Sequence, residues 1–159
     1  MPTPQQLDFM RRAIALATDN VVSARGGPFG AIIVRNGQII AEAANSVTTT
    51  NDPTAHAEVN AIRLACSKLT SFSLEGCEIY SSSEPCPMCL AAIYWARINA
   101  IYFGNSAEAA AQADFRDAFL YRELAFPRES RSIPSEQLLA DEALTSFQAW
   151  QRSPVKIEY

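Results

Sequence analysis

Apolar positions near the start of the chain recur at two different periods. Leu7, Met10, Ile14, Ala17 and Val21 fall three and four residues apart, which predicts an amphipathic helix with that stripe turned to the core. Thr3-Pro4-Gln5-Gln6 marks its start, with a hydroxyl cap, proline at the first helical position and a glutamine three residues after the cap. Gly26-Gly27-Pro28 is expected to end it. Two short apolar runs follow, AIIV (31–34) and QIIA (38–41), on either side of Arg35-Asn36-Gly37. Asn-Gly accepts the positive φ of a tight turn, so the pair reads as a β-hairpin.

A polar stretch, Thr48-Thr49-Thr50-Asn51-Asp52-Pro53, reads as a loop and leads into a helical pattern, AHAEVNAIRLACSKL. EIYSS (78–82) then reads as a strand, CPMCLAAIYWARI as a helix and AIYFG (100–104) as a strand. Strands separated by helices join through crossovers, which places the chain in the α/β class with helices on both faces of a mixed sheet. From residue 106 the pattern shortens to two or three helices broken by Pro127 and Pro134, closing on SFQAW and EY. No repeat or linker divides the chain, so residues 1–159 are expected to form one domain.

Composition narrows the function classes. The 159 residues are 48% apolar and 19% charged, ordinary for a soluble globular protein. A net charge of −4 and a pI near 5.0 argue against a nucleic-acid partner, which usually meets a basic face. No run approaches the 18 apolar residues of a membrane span. The opening MPTPQQLDFMRR lacks the charged head and apolar middle of a signal peptide. A cytoplasmic protein with no membrane role is expected. In that setting, four cysteines with Cys86 and Cys89 as C-x-x-C point to metal or redox chemistry before disulfides.

Cys86 and Cys89 stand three apart at a predicted helix start, which puts both sulfurs on one side. The positive helix end favours thiolates there, and thiolates bind zinc at roughly 2.3 Å. His56, the only histidine, would make a third ligand and leave one position of a tetrahedron open. Open zinc sites activate water near neutral pH. A closed structural site would need Cys66 or Cys77, which read more naturally as small buried residues. Glu58 stands two residues after His56, and in a helix interior the two would not share a face. At a first turn they can approach one point from different sides, with Asp52 before Pro53, or Thr54, as the cap. Glu58 then suits a proton carrier better than a ligand.

His56-Ala57-Glu58 with Pro85-Cys86-Pro87-Met88-Cys89 matches the H-x-E…P-C-x-x-C pattern of zinc deaminases. The chain resembles the cytidine deaminase superfamily, and more closely its short bacterial guanine deaminases. The resemblance runs through GGPFGAIIV (26–34), TNDPTAHAEVNAIR (50–63), EPCPMCLAAIYWAR (84–97) and the FQAW…EY ending. It implies a three-layer α/β/α fold around a five-stranded mixed sheet. It also implies one zinc per chain on His56, Cys86 and Cys89, with Glu58 shuttling protons while zinc hydroxide attacks C2 of guanine to yield xanthine and ammonia.

By the same resemblance Asn45 and Ala57 bind the purine base, Phe29 and Trp95 line its pocket, and Asp117 meets the guanine edge. Tyr159 would close the pocket of a partner subunit in a homodimer that exchanges its C-terminal segment, with 106–159 as the helical tail concerned. One departure is Ala91-Ala92 after Leu90, where the relatives commonly carry Gly-Ala. Other readings stay open: deamination of cytosine, guanosine, a triazine or tRNA adenosine, or a non-catalytic zinc module that would have no use for Glu58.

Overall fold

The computed structural model describes residues 1–115 and 117–159. Thr3 and Gln6 form the expected capping box, Gln6 N–H to Thr3 Oγ1 at 3.2 Å and Thr3 N–H to Gln6 Oε1 at 2.9 Å, and open helix α1 (Pro4–Val22). The helix stops short of Gly26, with Ser23 as its C-cap and Ala24 in the left-handed region at φ 52°. Gly26 serves a different purpose: a Cβ there would run into the Asn45 carbonyl and the Asn20 amide.

The buried stripe of α1 is also turned from the expected one. Ala13, Ala17 and Asn20 are buried, and Phe9, Met10 and Leu16 pack around them. Leu7, Ile14 and Val21 are exposed. Close approach decides this. A Cβ on Gly30 would lie 2.5 Å from Ala13 O and 2.7 Å from Ala17 N, so small residues of the helix sit at the closest approach to the sheet, with Phe9, Met10 and Leu16 packed to either side.

Strands β1 (Gly30–Arg35) and β2 (Gln38–Ala44) form the expected hairpin. Asn36 and Gly37 make its two-residue turn at φ 51° and 71°, with Arg35 paired to Gln38. A bulge between Ile33 and Val34 shifts the register. Helices α2 (Val47–Thr50) and α3 (Ala57–Leu69) follow, then β3 (Cys77–Ser83), α4 (Pro87–Trp95) and β4 (Ala100–Asn105). The single turn of α2 falls in the stretch that reads as loop, and Asn51 ends it at φ 52°. The sheet order is β2-β1-β3-β4, antiparallel except for the parallel β3–β4 pair across α4.

The expected three layers are present. Ala31 and Ile33 of β1 face the core under α3 and α4, with Ala57, Ala61, Ala65 and Ile93. Ile32 and Val34 face α1, with Ala13 and Tyr80. A strand buried on both faces explains the unbroken apolar run AIIV.

The sheet has four strands among the described residues, not five. After β4 the alanine-rich stretch turns helical instead of pairing with that strand. Ser106 caps Ala109 N–H at 3.3 Å and α5 (Ala107–Gln112) begins. Helix α6 (Asp117–Ala125), a short 3₁₀ turn (Arg128–Ser130) and α7 (Ala140–Arg152) follow. The chain groups into two compact units, Met1–Leu120 and Tyr121–Tyr159. Within the second, Glu123 Oε2 accepts from the Ser132 amide and hydroxyl at 2.8 and 2.7 Å. No helix among the described residues is long and apolar enough to cross a membrane.

Candidate active site

His56 is itself the N-cap of α3, in extended backbone at φ −68°, ψ 154°. The cap therefore falls later than both Asp52 and Thr54. Asp52 shapes the approach instead: its Oδ1 accepts from the Thr54 amide and hydroxyl at 2.8 and 2.7 Å, and its carbonyl accepts from Ala55 N–H at 3.0 Å. Cys86 holds the same N-cap position on α4, at φ −64°, ψ 168°, with Pro87 at the first helical position and Cys89 two residues further in. Two helix N-termini thus meet at one point, and both bring their positive ends to it.

His56 Nδ1 lies 3.7 Å from Cys86 Sγ and 3.5 Å from Cys89 Sγ. An ion at the centre of a tetrahedron, about 2.1 Å from nitrogen and about 2.3 Å from sulfur, would separate such atoms by about 3.6 Å. Among the described residues these three are the group whose donor atoms, all within 4.8 Å of one another, could hold a metal ion. Two sulfurs and an imidazole are soft donors, suited to zinc and not to magnesium or calcium. The Cys89 thiol, and after it His56, hold the Cys86 thiol down to about 4. The Cys86 sulfur, and burial after it, push Cys89 up. Cys66 and Cys77 are absent from the cluster and free of disulfides.

Glu58, the second residue of α3, is buried beside the cluster. Its Oε1 accepts from Ser81 Oγ at 3.0 Å, and its Oε2 lies 3.5 Å from Cys89 Sγ. Burial raises its pKa above the ordinary carboxylate value. A carboxyl so placed can both take and return a proton.

His56, Glu58 and Cys86 open into a cavity of about 230 Å³ also lined by Phe29, Asn45, Glu84, Phe115 and Asp117. Asn45 is held from three sides: its N–H donates to Phe29 O at 3.0 Å, its Oδ1 accepts from Val47 N–H at 3.2 Å, and its carbonyl accepts from Asn20 Nδ2 at 2.8 Å. Burial raises the Asp117 carboxyl above its ordinary range, with Cys86 adding to the rise and His56 opposing it. Phe29 and Phe115 meet edge to face at 4.7 Å.

Two further expectations, Ala57 and Trp95, fare differently. Ala57 is fully buried in the core cluster and does not line the cavity. Trp95 also lies outside it and is 67% exposed. The site sits at the N-terminus of α4, and nine residues of helix carry Trp95 about 13 Å along the axis. Tyr159 belongs to the second unit and is 75% exposed.

Phe115, Glu84, Asn20 and Asn60 escaped the sequence reading. Glu84 Oε2 accepts from Ala107 N–H at 3.0 Å, and Asn60 Nδ2 reaches Ala44 O, Ser46 Oγ and Ala55 O at 3.1 to 3.2 Å. Asn20 and Asn60 carried one signal: polar residues where their helical faces turn inward.

Residues 3–105 match the family described as the cytidine and deoxycytidylate deaminase zinc-binding region. Guanine deaminase of Bacillus subtilis is 52% identical over 151 residues, covering 95% of this chain and 97% of its own. The crystal structure of guanine deaminase from Bacillus subtilis superposes with a TM-score of 0.94 at 52% identity, over 96% of this chain and 98% of that one. The tRNA-specific adenosine deaminase of Aquifex aeolicus is 53% identical, but over 76 residues, 48% of this chain and 50% of its own. The cofactor of the matching family, zinc, fits the His/Cys/Cys donor set. The chain belongs to the family of cytidine and deoxycytidylate deaminase zinc-binding domains.

Proposed function

We propose that this protein is a zinc-dependent guanine deaminase, hydrolysing guanine to xanthine and ammonia. The observation that carries the reading is the extent of the likeness: 52% identity to a guanine deaminase over 95% of the chain, against 48% coverage by the tRNA adenosine deaminase. A cavity lined by a carboxylate, Asp117, together with His56 and Glu58 supports it. Guanine presents adjacent ring N–H and amino donors, which a carboxylate accepts as a pair.

His56, Cys86 and Cys89 would hold one zinc per chain. When bound, the ion supplies the Lewis acidity that makes water nucleophilic near neutral pH. Glu58 takes the proton as the water oxygen adds to C2, and passes it to the ring nitrogen. It then moves the second proton to the departing amine, so that the C2–N bond breaks and ammonia leaves. Asn45 and Asp117 orient the base, and Phe29 and Phe115 offer it apolar walls.

In this reading the enzyme is a cytoplasmic homodimer, in keeping with its four free cysteines. Leu144, Phe147 and Trp150 of α7 are exposed, an apolar stripe that fits an exchanged C-terminal segment. A panel of bases and nucleosides tests the substrate. Ammonia release should be fastest from guanine, and preference for cytosine or a nucleoside would overturn the assignment. Glu58→Ala should keep its zinc and lose turnover by roughly 10²- to 10⁴-fold; undiminished turnover would remove Glu58 from the reaction.

A further inference from the structure

Strand β3 changes character halfway along one face. Ile79 faces the core beneath α3, and two residues later the same face carries Ser81, then Ser83, both buried. A central strand paired on both sides, with Ser81 opposite Ala31 of β1 and Phe103 of β4, would ordinarily place apolar residues there. The hydroxyl has one carboxylate to serve. Ser81 is 1% exposed, and its Oγ donates to Glu58 Oε1 at 3.0 Å.

The other carboxylate oxygen, Oε2, faces the Cys89 thiol at 3.5 Å. A cysteine that binds zinc does so as thiolate and has no hydrogen left to donate. With the ion in place, Ser81 becomes the remaining side-chain donor to Glu58 among the described residues. A carboxylate with one fixed oxygen can still pivot about that bond, which leaves the second oxygen free to meet water and substrate in turn.

We propose that Ser81 is a positioning residue for the reaction, holding Oε1 of Glu58 so that Oε2 alone carries the proton. The inference rests on the reading of Glu58 as proton carrier. It assigns Ser81 no contact with substrate, so its loss should slow turnover without weakening binding of the base.

The test compares Ser81→Ala, Ser81→Val and Ser81→Thr, each assayed for zinc content, kcat and KM with guanine. Removing a hydrogen bond to a charged group should lower kcat roughly tenfold to a hundredfold in the alanine and valine variants. KM should stay within about twofold of the original, and zinc should remain at one per chain. Ser81→Thr, which restores the hydroxyl, should recover kcat to within a few-fold. Valine and threonine have nearly the same shape, so this pair separates the hydroxyl from packing even where the alanine variant folds poorly.

Equal kcat in the valine and threonine variants would overturn the proposal, as would a loss of activity that tracks lost zinc. Glu58→Ala, run beside them, separates this inference from its parent. If Glu58→Ala is inactive while Ser81→Ala keeps full kcat, only the role of Ser81 falls. If Glu58→Ala stays active, both fall.

Discussion

His56 and Cys86 occupy equivalent positions on different helices: each is the N-cap of its own helix, and Cys86 Sγ lies 3.7 Å from His56 Nδ1. A side chain at an N-cap points past the helix end, into the field of the first free amides. Two such ends brought together make a site that favours thiolate, and a zinc held there by His56, Cys86 and Cys89 would supply the acidity to activate water.

Loss of either member should therefore cost the metal before it costs the fold. The core under α3 and α4 is built from Ala61, Ala65, Ile79 and Ile93, none of which is a donor. Cys86→Ser and His56→Ala should bind less than one zinc per chain and show no turnover, while circular dichroism still reports the native helix content. Chelation of the original protein should abolish activity reversibly, with zinc restoring it. Activity that survives complete removal of zinc would refute the donor assignment.

Asp117 should govern affinity for the base. Asp117→Asn exchanges one acceptor for a donor facing guanine's own donors, and KM should rise roughly tenfold to a hundredfold. The fall in kcat should be smaller, because the chemistry stays with Glu58. An unchanged KM would place Asp117 outside the guanine contact.

Gly30 should prove intolerant of the smallest side chain. The 2.5 Å and 2.7 Å contacts its Cβ would make are to backbone atoms of α1, which cannot rotate away. Gly30→Ala should lose roughly 1–3 kcal/mol or more, read as a lower denaturant midpoint. Wild-type stability in this variant would show that α1 can lift from the sheet freely.

The Arg12–Glu42 pair should add a small pH dependence to stability. Two contacts of 2.8 and 2.7 Å lower the Glu42 pKa from its ordinary 4.5. A lowered folded pKa means the stabilisation is present above pH 4.5 and fades as pH falls through the folded value. With the side chains 44% and 32% exposed, solvent screening limits the pair to about 1 kcal/mol or less. Glu42→Gln should be that much less stable at pH 7, and the gap should narrow as pH falls through the folded value. A gap that does not narrow at all on acidification would trace to packing and not to charge.

The hairpin and the Cys86–Cys89 pair were legible in the chain because each rests on neighbours in sequence. The α/β class came from the order of elements, and His56 from the two-part H-x-E…P-C-x-x-C pattern. Asn36-Gly37 demands a turn of positive φ wherever it occurs, and Thr3 with Gln6 makes its capping box without help from the rest of the fold. Cys86 and Cys89 share a helix face by spacing alone. Which stripe of α1 would be buried was legible only in part. Periodicity finds Met10 and Ala17, which do face inward, together with Leu7, Ile14 and Val21, which do not; only the approach of Gly30 shows that the alanines mark the face on the sheet.

Tertiary structure alone decided the contacts between segments distant along the chain. Phe115 entered the cavity and Trp95 left it, because helix length and the position of the site set where an aromatic can reach. Ser81 acquired a partner 23 residues away, which no local pattern could have announced. Sequence determined the kind of chemistry, since donor identity and helix-end spacing are local properties. The fold decided which oxygen of Glu58 meets Ser81 and which meets Cys89, since that depends on the strand and helix packed against it.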